Sequence, residues 1–245
     1  MAFTDAGRVA LLRWEFAGQN PGTLEKFLPE GMSGERVVQL LPLPQEAEGK
    51  SVGLLSSDGR FKRLPLAEFQ DLSGRATSIL KLKEGVSLKR VVLCQDGDDL
   101  VVGSSTGRLL RLEVNEENLP VMGRNAQGPV LLRLLPGEEV IGAAAVDDNG
   151  DVWLATKHGS IKQLAAAEIR ECNRGDIGQI CMRFGQRDDQ VVDLQSSNTR
   201  VLGALLSDGR SLRIDSAELA GSPDGTQQLG LGSKEALAEL VPLLS

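Results

Sequence analysis

The sequence predicts an all-β, propeller-like disc of five four-stranded blades, and three observations carry this prediction. A hairpin phrase with a central glycine occurs five times, for example "LSSDGRFKRL" at 55–64 and "LLSDGRSLRI" at 205–214. The spacings between the turn glycines are 52, 48, 52 and 50 residues, a period typical of repeat architectures. Short apolar runs of strand length fill the rest of each repeat. The turn glycines are Gly7, Gly59, Gly107, Gly159 and Gly209.

The second repeat shows the strands most clearly. "KSVGLLSSDGRFKRL" at 50–64 predicts two strands around a Ser-Asp-Gly turn, because a tight hairpin needs a residue that adopts positive φ. "RATSILKLK" at 75–83 alternates apolar and charged residues and predicts a third strand of the same blade. "VSLKRVVLC" at 86–94 supplies the fourth. Four strands in each of five repeats indicate a propeller.

We expect a single domain over residues 1–245. The repeats are approximately 1–48, 49–96, 97–148, 149–198 and 199–245. The first repeat shows no strand before its turn and the last ends after "TQQLGL", so strands from opposite chain ends are expected to pair and close the ring. An alternative for the final segment, "SKEALAELVPLLS", is a short capping helix, because its apolar residues also fit helical spacing.

Composition excludes several classes of protein. No run of 18 apolar residues exists and the first residues do not resemble a signal peptide, which predicts a cytoplasmic protein without a membrane partner. The three cysteines stand singly, and His158 is the one histidine, which argues against a metal site or a disulfide framework. We expect no cofactor.

Catalytic residues are not expected either. The chain has no tyrosine, no phosphate-binding loop and no nucleophile motif. The acidic stretches "QDGDDL" at 95–100 and "VDDNGDVW" at 146–153 consist of residues that tight turns use, and the second lacks the later glutamate of a calcium loop.

Basic residues recur at fixed places in the repeats. Arginine follows the turn glycine in four repeats and recurs four places after the glycine in three. Lys81, Arg133 and Arg183 stand between apolar neighbours, 52 and 50 residues apart. A solvated outer face explains such charges, and so does a track of cations for a bent polyanion.

These residues also carry a family resemblance. "LPVMGRNAQGPVLLRLLPGEEVIGAAAV" at 119–146 resembles the blade signature in the C-terminal domain of bacterial type II topoisomerase A subunits, those of DNA gyrase and topoisomerase IV. "ECNRGDIGQICMRF" at 171–184 repeats it, with Arg124 and Arg174 each four residues before a glycine. The resemblance implies a β-pinwheel whose outer rim binds and bends double-stranded DNA. It also implies two protein partners, which are an N-terminal cleavage region within the same polypeptide and a separate ATPase subunit. The nucleoid is the implied place of action.

The chain departs from the family pattern in three ways. Gyrase carries a basic, glycine-rich box resembling Q-R-R-G-G-K-G, and no such run occurs here. The R-x-x-x-G spacing is intact in two repeats only, and five repeats are more similar to topoisomerase IV than to gyrase. A topoisomerase IV-like and an atypical gyrase-like subunit both remain open.

The resulting hypothesis is a non-catalytic domain that positions duplex DNA on its rim. The net charge is −7, but residues 60–90 carry +5 and the remainder −12, so a local basic patch is expected. The alternatives are a propeller that binds only proteins and, less favoured, a propeller enzyme. The candidate DNA-binding residues are Arg60, Arg63, Arg75, Lys81, Lys83, Arg108, Arg111, Arg124, Arg133, Arg174 and Arg183.

Overall fold

The structure is a computed structural model that describes residues 1–12, 24–147, 149–186, 188–197, 201–215 and 226–242. These residues form strands and four short 3-10 helices, at Leu24–Phe27, Glu30–Met32, Leu66–Phe69 and Ala166–Glu168, and no α-helix. Among them, no helix is long and apolar enough to cross a membrane. The strands are β1 Ala2–Thr4, β2 Arg8–Ala10, β3 Val37–Leu40, β4 Lys50–Ser56, β5 Phe61–Pro65, β6 Thr77–Ser78, β7 Leu88–Gln95, β8 Asp99–Ser104, β9 Arg108–Glu113, β10 Val140–Val146, β11 Asp151–Thr156, β12 Ser160–Ala165, β13 Gln179–Ile180, β14 Val191–Ser196, β15 Val201–Leu206, β16 Ser211–Asp215, β17 Thr226–Gln228 and β18 Leu237–Pro242.

The strands form five antiparallel sheets, which confirms the all-β, five-bladed prediction. Their orders, from the first sheet to the fifth, are β3-β1-β2-β6, β5-β4-β7, β10-β8-β9-β13, β14-β11-β12-β17 and β16-β15-β18. In the second sheet, isolated bridges join Arg60 to Val130 and Arg63 to Val121, at the place of a fourth strand. Each sheet is therefore built on one of the five glycine-centred hairpins.

The fourth strand of a sheet comes from the following repeat. β6 pairs with β2, opposing Ser78 to Arg8, and β13 pairs with β9, opposing Ile180 to Arg108. The assignment of residues 75–83 to the blade of their own repeat was therefore wrong. Alternation in a sequence reveals that a segment is a strand, but it carries no information about which neighbour supplies the hydrogen bonds.

The described strands nearest to the two chain ends pair inside the sheets of their own repeats. Ala2–Thr4 forms a strand before the first turn, where none was expected, and it pairs with β2 and β3. Leu237–Pro242 is a strand that pairs with β15, so the alternative prediction of a capping helix is wrong too. We expected strands from opposite ends of the chain to pair with each other, but neither of these strands does so.

The chain divides into two compact units, residues 1–96 with 115–131, and residues 97–114 with 132–245. The first unit is built on a core that contains Phe3 and Phe69, whose ring centroids lie 6.1 Å apart. The second unit has two cores on opposite faces of β11, because Trp153 and Leu154 point to opposite sides of the strand. Both side chains are almost completely buried.

All five predicted turn glycines have positive φ, between 72° and 87°. In each turn the glycine amide donates to the carbonyl three residues earlier, at 2.9–3.0 Å. No described residue other than glycine has positive φ, so the glycine alone provides the left-handed conformation. This is the geometry of a type I turn followed by a glycine bulge.

The turn glycines differ in what surrounds them, which gives a stability prediction. A Cβ on Gly107 would lie 2.5 Å from the carbonyl oxygen of Met182, whereas one on Gly209 would meet nothing within 4 Å. Gly209→Ala is expected to cost about 1 to 2 kcal/mol for the left-handed backbone alone. Gly107→Ala is expected to cost about 3 kcal/mol or more, since backbone must also move. Denaturant unfolding of both variants measures the difference, and equal losses would contradict the close-approach argument.

Candidate nucleic-acid interface

The predicted basic residues fall into two structural groups. The first group lies on the hairpins and is buried or half-buried, namely Arg60, Arg63, Arg108 and Arg111. The second group is exposed, namely Arg75, Lys81, Lys83, Arg124, Arg133, Arg174 and Arg183. The two groups differ in what their charges contact.

Arg63 and Arg111 stand four places after a turn glycine and make matching contacts. The Arg63 guanidinium donates to the carbonyl of Leu119 and pairs with Asp96 and Glu116. The Arg111 Nε donates to the carbonyl of Ile169 at 2.8 Å, and its Nη1 pairs with Asp99 at 2.8 Å. Each arginine thus ties its hairpin to the chain segment that leads into the next signature loop.

Arg60 and Arg108 directly follow a turn glycine and hold the signature loops themselves. The Arg60 Nη1 donates to the carbonyl of Gly128 at 2.9 Å, and the Arg108 Nη1 donates to that of Ile177. Because these guanidinium groups donate hydrogen bonds to the protein's own backbone, their recurrence in the sequence is explained by a role in holding the fold together.

The glycine of each signature loop is required by a close approach. Gly128 and Gly178 have φ of 79° and 71°. A Cβ would lie 2.2 Å from the Phe61 carbonyl oxygen at Gly128 and 2.3 Å from that of Leu109 at Gly178. The R-x-x-x-G spacing therefore fixes a loop directly against the hairpin of the preceding repeat.

Lys62 anchors the first signature loop and was not identified from the sequence. It is 1% exposed, and its Nζ donates to the carbonyls of Gly123 at 3.0 Å and Arg124 at 2.9 Å. Burial lowers the pKa of Lys62 to about 8, against the opposing effect of the Glu68 charge. In the sequence, Lys62 stands in a pattern of charged residues typical of a surface strand, so nothing there indicates that its amine is buried.

The two signature arginines have different surroundings. The Arg124 Nε pairs with the Glu68 carboxylate at 3.0 Å, and its Nη2 donates to the Glu68 carbonyl at 2.9 Å. Arg174 is exposed and makes no ion pair with a described residue. Its charge is available to an external anion, while that of Arg124 is partly neutralised.

Three exposed cations occupy equivalent places on successive sheets. Each stands two residues after a residue whose amide donates to the carbonyl of the preceding turn glycine. The donor amides are those of Ile79 to Gly7 at 3.0 Å, Leu131 to Gly59 at 2.8 Å and Cys181 to Gly107 at 2.9 Å. The cations are Lys81, Arg133 and Arg183.

The fourth such place holds Leu231, after Leu229, whose amide donates to Gly159 at 2.9 Å. The cation series thus ends after three members. None of the three cations, nor Arg75 or Lys83, forms an ion pair within the described part of the chain.

A buried carboxylate, Glu138, neutralises the turn of the third sheet. Its side chain is 3% exposed and accepts hydrogen bonds from Arg108, from Thr106 and from the amide of Leu135 at 2.6 Å. Burial alone would raise its pKa, but the hydrogen bonds from Arg108 and Thr106 outweigh burial and lower the pKa of Glu138 to about 2. Within the described ranges, no group of three or more histidine, cysteine or acidic side chains is arranged to hold a metal ion.

Comparisons with known proteins place these features in context. Residues 54–95, 98–147 and 151–198, more than half of the chain, match the model of the family described as "DNA gyrase C-terminal domain, beta-propeller". The A subunit of DNA topoisomerase 4 from Synechocystis sp. is 32% identical over 165 residues, which is 64% of this chain and 18% of that protein. The A subunit of DNA gyrase from Escherichia coli is 29% identical over 158 residues, again 64% of this chain and 18% of that protein. The chain thus spans about a fifth of the length of the curated relatives it matches.

Solved structures share the fold. The DNA gyrase A C-terminal domain superposes with a TM-score of 0.80 at 15% identity, covering 98% of this chain and 80% of that one. The C-terminal domain of DNA topoisomerase IV gives a TM-score of 0.80 at 14% identity, covering 98% and 77%. Since sequence identity is this low, the likeness concerns the fold, and it agrees with the five-sheet architecture.

Proposed function

Because this chain belongs to the DNA gyrase C-terminal domain, beta-propeller family, we propose that it is a non-catalytic domain of a type II topoisomerase A subunit that binds and bends duplex DNA. The observation that carries the proposal is the series Lys81, Arg133 and Arg183, exposed and unpaired within the described chain at one equivalent place on three sheets. Arg174, Arg75 and Lys83 add charge of the same kind.

Duplex phosphates are the chemistry that these side chains fit. Lysine and arginine heads contact phosphate oxygens without reading sequence. The chain is only 3% aromatic, so it offers few platforms on which the bases of a single strand stack. In a β-propeller, equivalent positions of successive blades follow a curve, so a duplex that contacts several of them has to bend.

The hairpin arginines have a positioning role in this proposal. Arg60, Arg63, Arg108 and Arg111 hold the loops and strands from which the exposed cations extend. The bent duplex would be presented to an N-terminal DNA-cleavage region of the same polypeptide, with ATP hydrolysed by a partner subunit, in the bacterial cytoplasm at the nucleoid. Without a basic glycine-rich box, the domain bends DNA but does not trap strong positive writhe.

Duplex binding across a salt series tests the proposal. The domain is expected to bind a duplex of about 40 base pairs without sequence preference and more tightly than a single strand. With about four phosphates contacted, log K is expected to fall with log salt at a slope of about −3.6. Energy transfer between dyes on the duplex ends should rise on binding. Absence of binding at low salt would refute the proposal and favour a propeller that binds only proteins, which is compatible with the net charge of −7.

A further inference from the structure

One position is structurally equivalent in all five sheets. It stands two residues before the strand that pairs with the first strand of the hairpin, which is β3, β7, β10, β14 or β18. Its amide donates to the carbonyl three residues earlier in every sheet, at 2.9–3.4 Å. The carbonyl of the next residue accepts from an amide of the hairpin turn in every sheet as well. The residues at this position are Glu35, Val86, Glu138, Asp189 and Glu235.

Four of the five sheets place a carboxylate there, against the hairpin turn. Glu35, Glu138 and Glu235 pair with the arginine that follows the turn glycine, which is Arg8, Arg108 and Arg210 respectively. Asp189, in the fourth sheet, accepts from the turn amide of His158 at 3.1 Å. An acid supplied by the chain itself therefore satisfies the donors of these four turns.

The second sheet is the exception, because Val86 occupies the position and carries no charge. The turn arginine, Arg60, has the Asp58 carboxylate 3.2 Å from its Nε, but that Nε is buried and makes no well-aligned hydrogen bond. A cleft opens beside it, and its polar lining consists of Ser56, Asp58, Arg60, Lys81, Lys83 and Gln127. Three cations and one carboxylate, Asp58, thus line a place where the sister sheets hold a further carboxylate.

We propose that this cleft binds one phosphate group of a duplex backbone, in the role that the internal carboxylate has in the other sheets. A phosphate carries the negative charge that Lys81 and Lys83 lack within the described chain, and its oxygens accept the hydrogen bonds that these two ammonium groups offer. The Arg60 guanidinium, which pairs with Asp58, adds positive charge to the wall of the cleft. The inference rests on the proposed DNA binding for the source of the phosphate.

Val86→Glu is the decisive variant, since it installs the carboxylate of the sister sheets. Glutamate at 86 is expected to pair with Arg60, as Glu138 pairs with Arg108, and to occupy the cleft. Val86→Gln matches its size without charge, and Ala238→Glu adds the same charge on an exposed site of the fifth sheet. All three variants are first shown to unfold at the wild-type denaturant midpoint or above.

Two measurements then decide the matter. In amide NMR spectra, inorganic phosphate should shift the signals of residues 57–60 and 81–83 in the wild type and in Val86→Gln, but not in Val86→Glu. In duplex titrations, Val86→Glu should weaken binding about three- to tenfold and reduce the salt slope by about 0.9, the loss of one phosphate contact. Ala238→Glu should leave the slope unchanged.

The two proposals fail in different ways. If the wild type binds duplex and Val86→Glu binds with the same affinity and slope, the cleft is not the phosphate site, while DNA binding stands. If duplex does not bind at all, the proposed function fails and so does the assignment of the cleft to a DNA phosphate. Phosphate shifts in that case would identify a site for a free anion instead. Shifts that persist in Val86→Glu would also overturn the inference.

Discussion

Reversing Lys81, Arg133 and Arg183 together to glutamate is expected to weaken duplex binding about 1,000-fold or more at physiological salt. Each side chain is exposed and without an ion pair in the described structure, so each is free to contact one phosphate. A charge-assisted hydrogen bond contributes about 1.5 kcal/mol or more, and tenfold in affinity corresponds to about 1.4 kcal/mol. Repulsion by the new carboxylates adds to the loss. The salt slope should fall by about 2.7, which corresponds to three phosphates.

A second triple variant separates local contact from net charge. Lys26, Lys50 and Lys234 lie outside the equivalent series, and changing them to glutamate alters the net charge by the same amount. This control is expected to weaken binding only slightly, because charges farther than about 8 Å are largely screened at physiological salt. Equal effects of the two triples would show that net charge governs binding. Wild-type affinity in both would show that the duplex does not contact this series of cations, and the proposed binding surface would be wrong.

The turns and the all-β fold could be predicted from the sequence because their causes are local. A glycine at a fixed place in each repeat has positive φ in all five hairpins, and the amide of that glycine bonds three residues back. Such a pattern needs nothing from distant parts of the chain. Gly128 differs, because a close approach to Phe61, in the hairpin of the preceding repeat, is what requires a glycine there.

Whether each basic side chain is buried or exposed could not be predicted in the same way. Arg108 and Arg133 both recur with the repeat, yet the first is 5% exposed and the second is exposed. The difference arises because the carboxylate of Glu138, 30 residues from Arg108, reaches its guanidinium in the folded sheet. A signal did exist, since glutamates recur 28, 31 and 26 residues after Gly7, Gly107 and Gly209. Aligning the sequence segments that form β3, β10 and β18 would have shown this recurrence.

The exchange of strands between repeats has the same origin. Residues 75–83 alternate as a strand should, and Thr77–Ser78 is one, but its partner is the hairpin of the preceding repeat. Pairing depends on contacts between segments that lie far apart in the sequence. The alternation within one repeat therefore does not show which strand of another repeat it pairs with.

Replacing Glu138 by glutamine is expected to destabilise the third sheet by about 3 kcal/mol at pH 7, because Arg108 remains buried without its counter-charge. The pKa of Glu138 is lowered to about 2 from an ordinary 4.5, so the carboxylate is more acidic in the folded chain than in the unfolded chain. Its contribution is therefore complete above pH 4.5 and is lost as the pH falls toward 2. The glutamine variant lacks this titration.

The difference in free energy of unfolding between wild type and Glu138→Gln should consequently shrink between pH 4.5 and pH 2. Denaturant unfolding, followed by the fluorescence of the buried Trp153 in the same unit, measures it at each pH. Glu235→Gln is the matched control, since Glu235 holds the equivalent position and pairs with Arg210, whose side chain is 59% exposed. Solvent already screens that pair, so its loss should shift the unfolding midpoint far less. A constant difference for Glu138→Gln across the acid range would mean that packing of the side chain, and not its charge, holds the turn of the third sheet.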